Sequence, residues 1–410
     1  MNVDDLPPAV AQNFHLHEMD WPEDPNQQHA MLDAPFRFGD CPMDCLQAVL
    51  NLARNAETIL RAPQVPLLTD TTPVIAIGSG PSLESHLDAL RALQGKAILI
   101  ASLSAVGGLR VAGIEPHYAV PIERTEDIID WMPDCGPSLT FSGAPFVAKP
   151  VMDRFARHAY MPDANSLCAW SSLPDDLHMH YGSSTGTAAI SMACTLTKGP
   201  VYLVGHDLAY DAGVSHWSGA KSAPMLEDGT VLGNNGEHLR STWMWRRYRA
   251  MISELARCHG MVINTNALAK RGAAIDATMA GQLPDPASLP DLVRPALVSN
   301  ERRLSLWKSR ARQLPRSAHT AMRVFDSATD LDQLDIARAV PGPNGLLLAY
   351  ILGSIYVQLS YEIAPNLPGK KTAITKPIAI RWCKQATMNV LRESLGVFEE
   401  VAEHGASHGA

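Results

Sequence analysis

Short apolar runs alternate with segments of helical periodicity through the middle of the chain. The runs are bounded by glycine, proline or polar residues, as is typical of buried strands in a parallel sheet. Six runs follow this pattern: residues 74–78, 97–102, 117–122, 138–143, 201–205 and 261–266. Their alternation with helical segments predicts an α/β fold with a doubly wound, mostly parallel sheet, a Rossmann-like central domain.

The pattern changes on both sides of this region. Apolar positions at three- and four-residue steps predict a helix over residues 43–60, and a Pro- and Thr-rich stretch follows it. A second Pro-rich stretch precedes a mostly helical C-terminal part. We therefore expect a small N-terminal cap region over residues 1–70, a Rossmann-like domain over 71–285 and a helical C-terminal domain over 286–410.

The most hydrophobic stretch covers residues 345–359, where Gln358 and then Glu362 interrupt it. This length favours a buried core helix over a membrane span. The N-terminus is acidic and lacks the apolar region of a signal peptide. We therefore expect no transmembrane segment and a cytoplasmic protein.

Composition narrows the classes of function. The 410 residues are 46% hydrophobic and 19% charged, which suits a large globular enzyme. The net charge of -8 argues against nucleic acid as a partner, but it leaves room for a basic pocket that binds an anion. The seven cysteines are scattered and lack zinc-site spacing, so we expect neither a disulfide framework nor a bound metal.

A glycine turn follows the first apolar run, with the sequence GSGPSL at residues 78–83. It lacks the third glycine of a dinucleotide fingerprint and the lysine of a Walker A loop. Gly78 and Gly80 allow close approach of a ligand, Pro81 suits the first turn of a helix, and Ser82 offers a hydroxyl. The turn predicts a phosphate-binding strand–turn–helix, with a tight turn that binds nothing as the alternative.

Several tracts resemble, in order, the motility-associated factor (Maf) family of flagellin glycosyltransferases. They are NLARNAETIL, VIAIGSGPSLESHLDAL, GIEPHYAVPIERT, YGSSTGTAAISMACTL, VYLVGHDLAYDAGVSHW and INTNALAKRGAAIDAT. The same region is similar to archaeal 6-hydroxymethylpterin diphosphokinases and to bacterial sialyltransferases that use CMP-sialic acid. The resemblance implies a glycosyltransferase that moves a nonulosonic acid from a CMP-sugar donor to a hydroxyl acceptor. A Ser or Thr of flagellin, or another protein, would be that acceptor.

Two motifs supply candidates for binding and chemistry. Asp207 ends a predicted strand and centres a matched tract, so we expect it to orient a sugar hydroxyl, bind Mg²⁺ or act as a base. A turn cap is its structural alternative. Tyr210 follows Asp207 and is expected to bind substrate. Glu123 and Arg124 follow another strand, where Arg124 suits a phosphate or sugar carboxylate and a surface ion pair is the alternative.

Hydroxyls and imidazoles complete the candidate set. Ser183 and Ser184 precede a helix of small residues and suit an anion or sugar, unless Ser184 is an ordinary N-cap. His216 and His238 are candidate general bases for an acceptor hydroxyl, with solvated loop histidines as the alternative. His206 is expected to be a neighbour of the site.

Two other functions remain open from the sequence. A diphosphokinase would hold Mg²⁺ on Asp207 and transfer phosphate from ATP to a pterin hydroxyl. A non-catalytic scaffold would keep only the nucleotide-binding fold. The transferase reading needs no cofactor beyond the CMP-sugar donor, and Mg²⁺ enters only with the diphosphokinase.

Overall fold

The computed structural model divides the chain into two compact units. A sheet unit contains Asn55–Ala164 and Pro174–Asn300, and a helical unit contains the chain up to Arg54, Asn165–Leu173 and the chain from Glu301 onward. The structure describes residues 42–132, 135–163, 166–182, 184–220, 227–292, 301–327, 340, 342–345, 347–348, 351 and 376–406. The three-part division expected from the sequence stays a prediction.

The described residues of the sheet unit form ten strands. They are β1 (Val74–Ile77), β2 (Ile98–Ala101), β3 (Tyr118–Ala119), β4 (Thr140–Phe141), β5 (Arg157–His158), β6 (Val201–Val204), β7 (Gly229–Leu232), β8 (His238–Ser241), β9 (Val262–Asn264) and β10 (Met279–Ala280). Eight of them pair in parallel in the order β10-β9-β6-β1-β2-β3-β4-β5. β7 and β8 form a separate antiparallel hairpin.

The central strands of the parallel sheet consist of buried apolar residues. All four residues of β1 are buried, and Val74 pairs with Ile98 on one side and with Val201 on the other. Strands buried on both faces read as continuous apolar runs because helices cover a parallel sheet on both sides. All six predicted runs contain strands of this sheet, and the predicted doubly wound α/β fold is confirmed.

The helices of the described residues belong to both units. They are α1 (Pro42–Ile59), α2 (Leu87–Ala92), α3 (Leu103–Val111), α4 (Lys149–Met152), α5 (Ser166–Ala169), α6 (Thr185–Leu196), α7 (Trp243–His259), α8 (Thr265–Leu268), α9 (Glu301–Ser327) and α10 (Lys376–Ala406). α1 matches the helix predicted over residues 43–60. α7 ends at Gly260, whose φ of 82° is the left-handed conformation that glycine favours at a helix end.

The helical unit is built on α9 and α10, which pack along each other. Trp307, Phe325 and Phe398 are fully buried in this unit, and Trp307 meets Trp170 edge to face at 6.0 Å. The hydrophobic stretch 345–359 lies mostly outside the described residues, while Leu347 and Ile351 within it are buried. No helix in the described part of the chain has the length and apolar character to cross a membrane.

The order of the strands reverses at β1 and β6, and a ligand crevice is expected at the carboxyl ends of these two strands. From β1 the chain proceeds outward to β5 on one side and then returns to the other side of β1 as β6. Ligands of open α/β sheets bind at such a reversal point. Two glycine backbones meet there, because a Cβ on Gly78 would lie 2.4 Å from the carbonyl oxygen of Gly205.

Candidate functional site

The turn after β1 is held by backbone hydrogen bonds. Gly80 N–H donates to Gly205 O at 2.8 Å, and Leu83 N–H donates to Gly80 O at 3.1 Å. A short 3-10 helix, Pro81–His86, begins with the proline that the sequence placed at a helix start. The strand, turn and helix start are therefore arranged as expected.

A carboxylate lies at the start of this 3-10 helix. Asp207 Oδ2 accepts hydrogen bonds from the backbone N–H of Ser82 at 3.2 Å and from its hydroxyl at 2.7 Å. Gly80 leaves room for it, since a Cβ there would lie 2.1 Å from the same oxygen. The position expected for a bound phosphate is thus next to a charged group of the protein, and the turn as a phosphate site stays a prediction.

The second oxygen of Asp207 has no hydrogen-bond partner within the described chain. Only 2% of the residue is exposed. The pKa of Asp207 is raised above its ordinary value, because the effect of burial is larger than the opposite effect of the two Ser82 hydrogen bonds and of the charge of Arg271. Arg271 also pairs with Asp211. The carboxyl group therefore has one oxygen held by Ser82 and one buried oxygen without a hydrogen bond in the described chain.

Two buried asparagines that were not among the predicted site residues lie near Asp207: Asn266 is next to Asp207, and Asn264 is next to Asn266. Asn264 ends β9 and accepts a hydrogen bond from the backbone N–H of Asn266 at 3.0 Å. Neither side-chain atom of Asn266 has a partner among the described residues, nor has Nδ2 of Asn264. A Cβ on Gly272 would lie 2.9 Å from Asp207 Cα and 3.3 Å from Asn266 Nδ2, which places the two residues side by side. Both asparagines lie in the tract INTNALAKRG, which resembles the Maf family, and this resemblance was the feature of the sequence that could have identified them.

His206 is buried against the same turn. Its Nε2 lies 3.2 Å from the carbonyl oxygen of Ala76, so this nitrogen carries the proton and donates. Burial lowers the pKa of His206 to about 4, and the ring is therefore neutral at pH 7. Its ring lies against two glycines, since Cβ atoms on Gly78 and Gly186 would lie 3.0 and 3.5 Å from it.

Ser184 is the N-cap of α6. Its hydroxyl accepts a hydrogen bond from Thr187 N–H at 3.0 Å, and the Thr187 hydroxyl accepts one from Ser184 N–H at 3.1 Å. This reciprocal arrangement is a capping box. The structure gives Ser184 the structural role that the sequence left open, and ligand binding by it stays a prediction. Ser183 lies outside the described residues.

Glu123 and Arg124 lie beyond β3 and are partly buried. Glu123 Oε2 accepts a hydrogen bond from Ile122 N–H at 2.9 Å, and burial raises the pKa of its carboxyl. Burial, with a contribution from the charge of Glu123, raises the pKa of Tyr248 to about 12. The Arg124 guanidinium lies 4.8 Å from the ring centre of Phe146. Both predicted substrate residues thus have aromatic neighbours.

Trp245 on α7 brings Tyr210 and His216 together. Its ring lies 5.1 Å from that of Tyr210 and 6.0 Å from that of His216. Burial lowers the pKa of His216, whose Nδ1 lies 3.0 Å from the hydroxyl of Ser215. His238 is exposed on β8, and no ring contact or hydrogen bond joins it to these side chains in the described structure.

The described residues do not include a cluster of three His, Cys, Asp or Glu side chains with metal-site geometry. The orphaned oxygen and amide atoms next to Asp207 are instead suited to hydrogen bonds with a neutral polar group. What the site offers chemically is a fixed carboxylate, buried amides and two neutral imidazoles near one crevice.

The chain resembles known proteins in sequence over part of its length and in fold over most of it. Residues 50–213 match the family described as 6-hydroxymethylpterin diphosphokinase MptE-like. The fold matches the solved structure of a Maf glycosyltransferase from Magnetospirillum magneticum AMB-1, with a TM-score of 0.57, 17% identity and coverage of 89% of this chain. The chain covers 61% of that protein, about three fifths of its length. No curated protein matches the chain in sequence. The predicted resemblance is therefore confirmed: residues 50–213 match the MptE-like family, and most of the chain shares its fold with a Maf glycosyltransferase.

Proposed function

We propose that this protein is a glycosyltransferase that moves a sugar, a nonulosonic acid from a CMP donor, to a hydroxyl acceptor such as a flagellin Ser or Thr. The observation that carries the proposal is Asp207 at the strand reversal, with one oxygen held by Ser82 and the other unpartnered. A buried acceptor of hydrogen bonds at this place suits a sugar hydroxyl. The similarity in fold to a Maf glycosyltransferase supports the same reaction class.

His216 is the proposed general base. Burial lowers its pKa, so the imidazole is neutral at pH 7 and can accept a proton. Ser215 lies against Nδ1, while Nε2 makes no hydrogen bond with the described part of the chain. The acceptor oxygen forms a bond to the anomeric carbon, and its proton passes to Nε2. The bond from that carbon to the phosphate oxygen breaks, and CMP leaves with the electron pair.

Few backbone N–H groups of residues 78–83 remain free to donate a hydrogen bond to the donor phosphate. The N–H groups of Gly80, Ser82 and Leu83 already donate within the protein. Ser79 N–H makes no hydrogen bond in the described chain, and the Ser79 hydroxyl accepts one from Ser104 at 2.9 Å. We therefore propose that the phosphate binds at Ser79 and Ser104, on the side of the turn that Asp207 does not occupy.

Ligand-induced stabilisation tests the donor. The protein is heated with CMP, CMP-sialic acid, ATP or GTP, each with and without Mg²⁺. We expect CMP and CMP-sialic acid to raise Tm without Mg²⁺, because a ligand at 100 times its Kd stabilises by about 2.7 kcal/mol. Stabilisation by ATP with Mg²⁺ alone would overturn the proposal in favour of phosphoryl transfer.

Turnover tests the reaction itself. CMP release from CMP-sialic acid is measured with a flagellin acceptor for the wild type, His216→Gln and Asp207→Asn. Loss of a general base typically costs 10²–10⁴-fold, so we expect a fall of that order for His216→Gln. Binding of CMP with no transfer to any hydroxyl acceptor would instead support a nucleotide-binding scaffold.

The name of the matched family favours a second candidate, a diphosphokinase that acts on a hydroxymethylpterin. Such an enzyme transfers a diphosphate from ATP, and Mg²⁺ bridges its phosphates. Asp207 and Glu123 are the carboxylates at hand, and they follow different strands. The ATP and Mg²⁺ arms of the stabilisation experiment decide between the two candidates.

A further inference from the structure

Four buried polar atoms next to the strand reversal have no hydrogen-bond partner in the described chain. They are Asp207 Oδ1, Asn264 Nδ2, Asn266 Nδ2 and Asn266 Oδ1. The three residues are at most 2% exposed and lie at the carboxyl ends of the adjacent strands β6 and β9. Native proteins satisfy nearly all buried polar groups, so four such atoms in one place call for a partner that the described chain does not itself supply.

Asn55 shows what a buried asparagine does when its role is structural. Asn55 and Asn266 are both 1% exposed and both belong to the sheet unit. Asn55 Nδ2 donates to Pro145 O at 3.1 Å and to Val147 O at 2.8 Å. Asn266 has no such bond from either side-chain atom. The fold therefore uses Nδ2 of Asn55, whose Oδ1 has no partner in the described chain, but uses neither side-chain atom of Asn266.

The chemistry of the orphaned atoms indicates their ligand. An amide offers a donor and an acceptor, and a carboxylate oxygen offers an acceptor. A fully ionised phosphate offers acceptors only, so it cannot donate the hydrogen bond that a carboxylate oxygen accepts. A hydroxyl both donates and accepts, and two neighbouring hydroxyls can engage Asp207 and Asn266 together. Gly272 packs directly against both residues, since a Cβ there would lie 2.9 Å from Asp207 Cα and 3.3 Å from Asn266 Nδ2.

We propose that Asn266, with Asp207 and Asn264, forms a pocket that binds hydroxyl groups of the nucleotide sugar, those of its ribose or of the transferred sugar. The pocket rests on the proposed function for the identity of its ligand. Asn266 is a specificity-determining residue in it, because a hydroxyl at this point can donate to the amide oxygen or accept from the amide nitrogen, and a hydrogen in its place can do neither. A deoxy analogue leaves the amide and the carboxylate buried and unpaired, which is why such sites reject it.

Thermal stability without ligand tests the contrast between the two asparagines. Asn55→Ala and Asn266→Ala remove the same atoms from equally buried positions, so the cavity cost is shared and the difference reports the hydrogen bonds. We expect Asn55→Ala to lower Tm by ~2–4 °C more than Asn266→Ala does. An equal or larger fall for Asn266→Ala would show that the fold needs this amide, and would overturn the proposal.

Binding of CMP, 2′-deoxy-CMP, 3′-deoxy-CMP and CMP-sialic acid, measured by calorimetry, tests the ligand. If the ribose occupies the pocket, the wild type prefers CMP to a deoxy analogue by about 10- to 100-fold, and Asn266→Ala removes that preference. If the transferred sugar occupies it, Asn266→Ala weakens CMP-sialic acid by about the same factor and leaves CMP unchanged. Asn55→Ala, the matched control, keeps the wild-type preferences in both cases.

Two other results overturn the pocket in different ways. Equal affinities for all probes in the wild type and in Asn266→Ala would show that the pocket holds only solvent, while the proposed function survives. No binding of any of the four probes to the wild type would refute the CMP donor, and with it this use of the pocket.

Discussion

The candidate site has two parts that differ in how their polar groups are satisfied. In the first part, called the inner cluster, the side chains are buried and several polar atoms lack hydrogen-bond partners in the described chain. In the second part, called the outer group, the side chains are partly or fully exposed. Trp245 packs against Tyr210 and His216, and Phe146 packs against Arg124. The inner cluster comprises Gly78, Gly80, Ser82, His206, Asp207, Asn264 and Asn266, and the outer group comprises Glu123, Arg124, Tyr210, His216 and His238.

This difference indicates which part of the site lowers the stability of the fold. An unpaired buried polar group costs about 1–3 kcal/mol, and the inner cluster contains several. The outer residues pack on aromatic rings or lie in solvent, which costs little. We therefore expect substitutions in the inner cluster to affect both folding and ligand binding, and substitutions in the outer group to affect mainly turnover.

The largest expected effect is that of Gly80→Ala. The φ of Gly80 is -68°, which any residue adopts, so the added methyl group fails only for lack of space. It would lie 2.1 Å from Asp207 Oδ2 and 2.8 Å from Gly205 O. We expect a loss of about 3 kcal/mol in the free energy of unfolding, measured by urea denaturation.

Gly396→Ala is the control, because a Cβ on Gly396 meets no atom within 4 Å. This variant, in the interior of α10, should gain up to about 1 kcal/mol from helix propensity. Wild-type stability for Gly80→Ala would mean that the contact between the turn and Asp207 is loose, and the inner cluster would lose its distinction.

His206 makes the inner cluster sensitive to acid. Its folded-state pKa of about 4 lies below the ordinary value of 6.5, so the unfolded chain binds a proton more readily. The stability that the neutral ring contributes is complete above pH 6.5 and is lost as pH falls towards 4. The loss from this group amounts to about 3 kcal/mol.

Urea denaturation at several pH values between 7 and 4 measures this dependence. His206→Gln should flatten the profile, because glutamine carries no proton to gain. The exposed His238→Gln variant controls for the replacement of a histidine as such. An unchanged profile in His206→Gln would show that other groups carry the acid sensitivity.

Two serines at helix starts give the next smaller pair of effects. Ser82→Ala removes a buried hydrogen bond to the Asp207 carboxylate, and we expect a loss of about 2 kcal/mol. Ser184→Ala removes an N-cap, which is worth about 1 kcal/mol. Denaturation of both variants at pH 7 compares them. The reverse order would mean that Asp207 does not depend on Ser82.

The smallest expected effect is that of His238→Ala. His238 is exposed on β8, so the free energy of unfolding should change by less than about 0.5 kcal/mol. CMP release should also stay within about twofold of the wild type, whereas His216→Gln lowers it strongly. A large fall in turnover for His238→Ala would make the exposed histidine the base and would break the contrast.

The sequence could predict the strands but not every neighbour of the site. Continuous apolar runs identified the core of the sheet, because burial on both faces leaves a clear pattern. The two-residue strands β5 and β10 have none, since Arg157 and Met279 are exposed. The hydrogen bond between Ser82 and Asp207 joins residues 125 positions apart and exists only once β1 and β6 are adjacent.

The lack of a hydrogen-bond partner for the Asn266 amide is likewise a property of the folded chain that the sequence could not predict. Burial without a partner depends on the packing around a residue and not on its type. The assignment of Asn165–Leu173 to the helical unit likewise follows from tertiary contacts, which a pattern of apolar positions does not encode.

The meeting of Gly78 and Gly205 also has a consequence for motion. The amides of Gly78 and Gly80 donate to Val204 O and Gly205 O, each at 2.8 Å, so both bonds bridge β1 and β6 at the mouth of the crevice. Any opening that parts these strands breaks both bonds and exposes two amide protons to solvent. Hydrogen exchange at two glycines would thus time the breathing of the whole crevice, with or without a ligand in it.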